Sequence, residues 1–494
     1  MSKDCLHPIC QQILNFCQQA EIVNKTLTVA YSGGVDSQVL LHAVAQLSKA
    51  NLLAVTVNAI HINHGLSVNA ANWSLFCQQQ AEQLSIPFQA VAVVIDQQSP
   101  QSLEALARDA RYKALQQTCV NHSVILTGHH LDDQVETFLL ALKRGAGIQG
   151  LSAMQALRTL NNTQPEQHKL LARPLLNVSR EDIESYASMH DLQWIEDESN
   201  SDQRFDRNFI RAEVLPLLKQ RWPAINQTIA RSANHCEQAQ NLLEQLADVD
   251  LRQCQLSPDS LSITEMSSLS LERINNLLRH FIKVNGGLMP STQQLEQVYN
   301  ACFVASVDKN PHISLTDYSL RRFNNALFFT RNYADISQWQ KSLSLQQLTN
   351  ETIDLPDGLG QLQLQRITRL SDLKITEQDS NNFACVIAIS ADTQQLTIKF
   401  QHNNPKCWPD YRAQRRPLKK VLQEQGVATW LRNRLPFIFV ENDLAAVLPL
   451  FVCREFGAKE FISSKLSNTE QNLDAIDNIN VETHVYLKIT WLNI

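Results

Sequence analysis

The sequence predicts an α/β protein: a doubly wound parallel sheet, followed by a mainly helical domain and a smaller α+β domain at the C-terminus. Three observations predict this. Strand-like and helix-like stretches alternate from residue 21 to about 215. A turn rich in glycine and serine joins the first strand to the first long helix. Beyond Leu217 that rhythm gives way to helical periodicity, and later to short apolar runs punctuated by turns. The expected divisions are 1–217, 218–335, a connector at 336–380, and 381–494.

The first strand is the β-branched run Leu27-Thr28-Val29-Ala30, and the next three are Leu53–Ile62, Val91–Ile95 and Val124–Thr127. Helical stretches fall between them at Asp36–Lys49, Ala70–Ser85 and Ser102–Gln117. Such sheets bind ligands beyond the C-terminal strand ends, where Ser32–Ser37, His61–His64 and Gly128–His130 would lie. The second region reads as helices over Leu217–Leu246, Leu271–Val284 and Thr292–Cys302. A hairpin follows, with Asn324-Asn325 as its turn. Residues 336–380 are polar and Gln-rich and read as a connector with edge strands, and the last region has strands at Pro436–Val440 and Leu444–Val452.

Bulk properties exclude several classes. With 494 residues, 44% hydrophobic and 19% charged, the chain reads as a soluble globular protein of about three domains. No apolar run reaches the roughly 18 residues that span a bilayer, and Met1–Ala20 lacks a signal-type core, so a cytoplasmic, non-membrane protein is expected. The eleven cysteines include no Cys-x-x-Cys pair, which argues against a zinc or disulfide site. A net charge of −6 confines any nucleic-acid contact to local basic patches.

Chemistry concentrates first in Ser32-Gly33-Gly34-Val35-Asp36-Ser37. A helix start offers unpaired N–H groups and the positive end of the helix dipole, which suit phosphate. Glycine lets the backbone approach closely, the serines add hydroxyl donors, and Asp36 suits a magnesium ion bridging phosphates. No Gly-Lys-Ser/Thr occurs in the chain, and this loop does not fit the dinucleotide Gly-x-Gly-x-x-Gly spacing. The whole string after a strand resembles the pyrophosphate-binding loop of the PP-loop ATPases.

Next comes Thr127-Gly128-His129-His130-Leu131-Asp132-Asp133-Gln134-Val135-Glu136-Thr137, directly after a strand. His129, Asp133 and Glu136 at i, i+4 and i+7 are expected on one helical face, suited to an amine, a base edge or a metal. Glu104, Arg108 and Arg111 repeat the same spacing, which is either a solvated face or a source of one phosphate-stabilising arginine. Arg207 and Arg211 share a face after the Asp197-Glu198-Ser199-Asn200 loop. His61 and His64 read as packed strand-end histidines rather than ligands. Near the C-terminus, Arg412, Arg415, Arg416, Lys419 and Lys420 form a basic segment leading into a helix, with Trp430 more plausible as core than as a stacking platform.

Together and in this order, SGGVDS, HINHGLS, EALARDARY, GHHLDDQVET, RGAGIQGLSAM, RPLLNVSREDI, DESNSDQRFDRNFIR, SLRRFNNALFF and RRPLKKVLQEQGVATWLRNRLP resemble the tRNA(Ile)-lysidine synthetases. Two stretches depart from that pattern: NNPKCWPDYRAQ lacks an expected Gly-Arg, and residues 457–494 match nothing in it. The resemblance implies an ATP-dependent ligase that joins free L-lysine to the wobble cytidine of a CAU-anticodon tRNA(Ile), with ATP and Mg2+. It implies that Ser32, Gly33, Gly34, Val35, Asp36 and Ser37 hold ATP, with Asp36 at the metal, and that His129 meets the target cytosine. Arg111 would stand by the activated phosphate, while Asp133, Glu136 and Arg207 receive lysine. Asp36, Asp133 and Glu136 all remain open as the general base. The basic segment would grip tRNA phosphates, and the oligomeric state stays open, a homodimer included. The rival readings are a PP-loop tRNA thiolase and a non-catalytic RNA-binding protein with a relic nucleotide fold.

Overall fold

The structure is a computed structural model. It describes residues 6–20, 22, 25–65, 67, 69–94, 103–160, 169–198, 202–306, 311–346, 348–367, 383–458 and 484–492, with 103–105 described by backbone alone. It divides into two compact units, Met1–Leu246 and Ala247–Ile494.

The first unit runs α1 (Pro8–Gln19), β1 (Thr26–Ala30), α2 (Val35–Lys49), β2 (Thr56–Asn63), α3 (Ala70–Gln83), β3 (Phe88–Ala92), α4 (Leu103–Thr118) and β4 (Val124–Leu126). It continues with α5 (Leu131–Lys143), α6 (Ile148–Leu151), β5 (Leu157–Leu160), β6 (Lys169–Ala172), α7 (Arg180–Met189), α8 (Asp206–Phe209) and α9 (Leu215–Arg221). The long α10 (Ile225–Cys254) leaves the unit. The six strands lie in the order β3-β2-β1-β4-β6-β5, parallel except for the edge pair β5/β6. The doubly wound α/β reading holds. Ile95 and Ser102, at the ends of two expected elements, lie outside the described residues.

Both faces of the sheet are covered. On one, α1 (Ile9, Ile13), α2 (Leu40, Val44) and α7 (Ile183, Tyr186) share a core with β1. On the other, Leu115 of α4 and Cys119 just after it pack on Ile60, Ile125 and Leu171. Each fully buried leucine or isoleucine contributes about 1.5–3 kcal/mol relative to exposure. The strand order reverses direction between β1 and β4, and this opens a crevice at their C-terminal ends. The loops after both strands meet there. A Cβ on Gly128 would lie 2.9 Å from the Asp36 backbone, so only glycine lets the second loop approach the first this closely.

In the second unit, Leu271–Val284 is a helix, as its 3.6-residue apolar repeat predicts. The hairpin Tyr318–Phe323/Ala326–Arg331 turns at Asn324 and Asn325, with φ of 45° and 59°, the left-handed pair a tight two-residue turn requires. The strands expected in the 336–380 connector are present, and two of them, Gln340–Ser344 and Asn350–Asp354, are sheet edges. Gln340–Ser344 pairs with Gln395–Lys399, and Asn350–Asp354 and Gln361–Ile367 join a sheet with His484–Leu492 and Phe383–Ser390. Strict polar/apolar alternation, as in Gln361-Leu362-Gln363-Leu364, buries the leucines in one core with Ile387 and Leu487. Most of the unmatched tail (459–483) and residues 368–380 lie outside the described residues. Trp430 meets Phe323 and Phe328 edge-on, with Arg321 over its ring, so it packs inside the unit.

Candidate active site

The phosphate-type loop is tied from within. Gly33 has φ +85°, and a Cβ there would lie 2.6 Å from Ile195. Ser37 Oγ donates to the Gly34 carbonyl at 2.9 Å and accepts from the Ser32 N–H at 3.2 Å; the two serine hydroxyls are 3.1 Å apart. Val35 is buried and opens α2 with Gly34 as its cap, so Val35 contributes through its backbone N–H. The result is a short anion cradle at a helix start, open at Ser32 and Asp36.

Asp36, one turn into the loop, is not free. Arg180, the first residue of α7, binds both its carboxylate oxygens at 2.8 and 2.9 Å, and His130 Nε2 stands 3.6 Å away. Burial raises the Asp36 pKa, against the opposing pull of His130 and Arg180. His130 also lies 3.5 Å from Asp133, so one imidazole stands between the loop's acid and the acid pair of α5.

The expected His129/Asp133/Glu136 face is corrected in one respect. The helix starts at Leu131, with His130 as its N-cap in a capping box with Asp133. His129 therefore precedes the helix, and its Nδ1 meets the Thr127 hydroxyl at 2.9 Å. Burial holds the His129 imidazole down at about 3, helped by Arg173, Arg207 and Arg108 and opposed by Asp133. The boundary differs because the backbone N–H of His130 donates to Asp133 at 3.0 Å, a cap that begins the helix two residues later than periodicity suggests.

Asp133 and Glu136 do converge, and two arginines hold them. Arg207 Nε reaches Glu136 at 2.6 Å and its Nη2 reaches Asp133 at 3.0 Å. Arg211 Nε reaches Glu136 at 2.7 Å, with a longer contact of 3.4 Å to Asp133. Glu136 is fully buried. Burial alone would raise Asp133, but His130, Arg207, His129 and the His130 N–H outweigh it and hold it near 2. Arg207 is thus already engaged by both acids rather than waiting free for a carboxylate. Arg211 sits on a single π-helical turn, Ile210–Val214, an irregularity frequent at functional sites.

Arg111 of α4 donates to His64 Nε2 at 3.4 Å, and Arg207 is among the charges that act on it, so it faces the same centre. His61 bonds the Tyr31 carbonyl at 3.0 Å, the packed role expected of it. The basic segment belongs to the second unit. There Arg412 pairs with Glu424 and Arg415 with Glu455, whereas Arg416, Lys419 and Lys420 are exposed without a carboxylate partner among the described residues.

Sequence reasoning missed Arg180, His130 as the bridge, and Arg173. Arg180 lies 144 positions from Asp36, so only the fold joins them. A signal was present: Ser179 and Asp182 spell a helix start just after a strand, which places Arg180 at the ligand edge.

A parallel α/β sheet carrying this loop at its switch point defines a PP-loop nucleotide-binding protein, and the PP-loop domain family matches residues 6–218. Two more families match downstream: the TilS substrate binding domain over 261–328 and the TilS substrate C-terminal domain over 396–463. The tRNA(Ile)-lysidine synthase of Coxiella burnetii is 38% identical over 88% of this chain and 91% of its own. That of Actinobacillus pleuropneumoniae is 40% identical over 87% and 96%. The chain belongs to the tRNA(Ile)-lysidine synthase family. Among solved structures, the U34-tRNA thiolase NcsA of Methanococcus maripaludis overlays with a TM-score of 0.39 at 16% identity, over 46% of this chain and 76% of that one, a likeness too loose to bear on function. No helix among the described residues is long and apolar enough to cross a membrane.

Proposed function

We propose that this chain joins lysine to C2 of the wobble cytidine of a CAU-anticodon tRNA(Ile), at the expense of ATP. The observation that carries the reading is His130, standing within 3.6 Å of Asp36 in the nucleotide loop and 3.5 Å of Asp133 in the acid pair. Nucleotide and amine sites lie side by side, as a two-step transfer requires.

In the first step the cytosine O2 attacks the α-phosphorus of ATP and pyrophosphate leaves into the loop formed by Ser32–Ser37. In the second the lysine amine attacks C2, the C2–O bond breaks, and AMP leaves with the oxygen. Magnesium enters with ATP as part of the substrate. Its usual protein share is one or two carboxylates, which fits Asp36, and no cluster of three or more metal-binding side chains occurs among the described residues. Bound there, the ion would neutralise phosphate charge. Asp36 then has to exchange Arg180 for the metal. Arg111 stabilises the phosphate undergoing attack, and His129, held neutral, faces the cytosine. Asp133 and Glu136 take the lysine ammonium in place of an arginine, and the released Arg207 takes the carboxylate. Asp133, held near 2, is a poorer proton acceptor than Asp36, which burial raises, so Asp36 is favoured over Asp133 as the base.

The thiolase reading finds no suitable thiol at the loop among the described residues. Cys77 lies beneath Gly33, with burial pushing its thiol up to about 12. The test is AMP release: it should require CAU tRNA(Ile) for adenylation and lysine for discharge. Release that ignores lysine would defeat the reading.

A further inference from the structure

Beyond His129, on the side away from the loop, three arginines gather with no counter-charge among the described side chains. Arg173 follows β6 and is 3% exposed. Its Nη1 donates to the Gln155 carbonyl at 2.5 Å, yet its Nε is buried with no partner. The Tyr112 side chain hydrogen-bonds its guanidinium, and Arg108 lies 5.3 Å from the centre of that tyrosine ring. Arg158 on β5 stands opposite Leu171, and Arg173 is two residues past Leu171, so the two arginines share a face of the sheet. Arg108 and Arg158 are the cations that act most strongly on Arg173. Among the described residues none of the three has a carboxylate within ion-pair distance. Gathering three cations without an acid raises the energy of the empty site, and an anion relieves it.

The strand order decides which anion. Along the C-terminal edge the sequence is β1 with the loop, β4 with His129, β6 with Arg173, then β5 with Arg158. Neighbouring strands are about 4.8 Å apart, so β6 is roughly 10 Å and β5 roughly 14 Å from β1. The nucleotide phosphates already have their cradle on the near side of His129. We propose that Arg108, Arg158 and Arg173, with Tyr112, bind a backbone phosphate of the RNA next to the target cytidine, holding the base against His129. This rests on the reading that His129 meets that cytosine.

The test uses the full-length protein and anticodon stem-loop RNAs carrying one neutral methylphosphonate at each phosphate flanking the cytidine, with affinity read by fluorescence anisotropy. Arg108 and Arg158 are exposed, so Arg108→Ala and Arg158→Ala avoid the folding risk of altering buried Arg173. One methylphosphonate should weaken wild-type binding about tenfold, each alanine variant should weaken binding of the unmodified RNA comparably, and the two losses should not add. ATP affinity should stay unchanged. Additive losses, or a fall in ATP affinity with RNA binding intact, would overturn the subsite while leaving the lysidine reading standing. A wild-type protein that ignores the stem-loop altogether would remove both.

Discussion

The Glu136 carboxylate is fully buried, and the Arg207 guanidinium meets it at 2.6 Å. Arg207 is the less exposed of the two guanidinium partners and pairs with both Glu136 and Asp133; its loss costs about 3 kcal/mol at most, because Arg211 still reaches Glu136. Arg207→Ala should therefore lower the denaturation midpoint clearly and abolish lysine transfer. Arg211→Ala should cost less, because its side chain is 43% exposed and Arg207 still covers Glu136. Chemical denaturation compares the two; equal losses would contradict the ranking.

Asp36 is held by Arg180 at the nucleotide loop. Asp36→Ala should abolish turnover and leave tRNA affinity within a factor of about two. Filter binding beside an AMP-release assay checks this. Loss of tRNA binding would refute the assigned role.

Within the basic segment the structure separates two groups. Arg416, Lys419 and Lys420 are exposed, with no carboxylate partner among the described residues, while Arg412 and Arg415 answer Glu424 and Glu455. Replacing the first three with alanine should weaken tRNA binding and reduce the log–log salt slope by about 2–3. The Arg412/Arg415 double variant should change the slope less. An unchanged slope in the triple variant would take the segment out of the interface.

His129 gives a pH prediction with a definite sign. Burial lowers its pKa from 6.5 to about 3, so between those values the unfolded chain binds a proton that the folded chain does not. Its contribution to stability is intact above pH 6.5 and is lost as pH falls towards 3. His42 and His64, each held near 4 mainly by burial, act in the same direction. His129→Gln should flatten the loss of stability between pH 6.5 and 4. An unaltered slope would mean that the imidazole is solvated.

Local chemistry made much of this legible. The strand–Gly-Gly–helix junction, the Asn324-Asn325 turn and the helix at Leu271–Val284 each follow from a short-range rule. Asp133 and Glu136 were found because three residues on one helix are neighbours in space. The guanidinium of Arg180 against Asp36 was not, since nothing within either stretch records a contact 144 residues away. The edge strands of the Gln-rich region are legible in its polar/apolar alternation, but their long-range partners at 383–399 and 484–492 are not, because strand pairing leaves no local signal. His129 was placed on a helix because spacing cannot see the cap at His130.

The central claim is that nucleotide loop and acid pair serve one reaction on one base. The most direct measurement incubates the protein with ATP, magnesium, labelled lysine and CAU-anticodon tRNA(Ile), then digests the RNA and analyses its nucleosides. The account predicts label in a single modified cytidine, dependent on ATP and absent with Asp36→Ala. Label that never enters a nucleoside, with the RNA bound and ATP present, would contradict it.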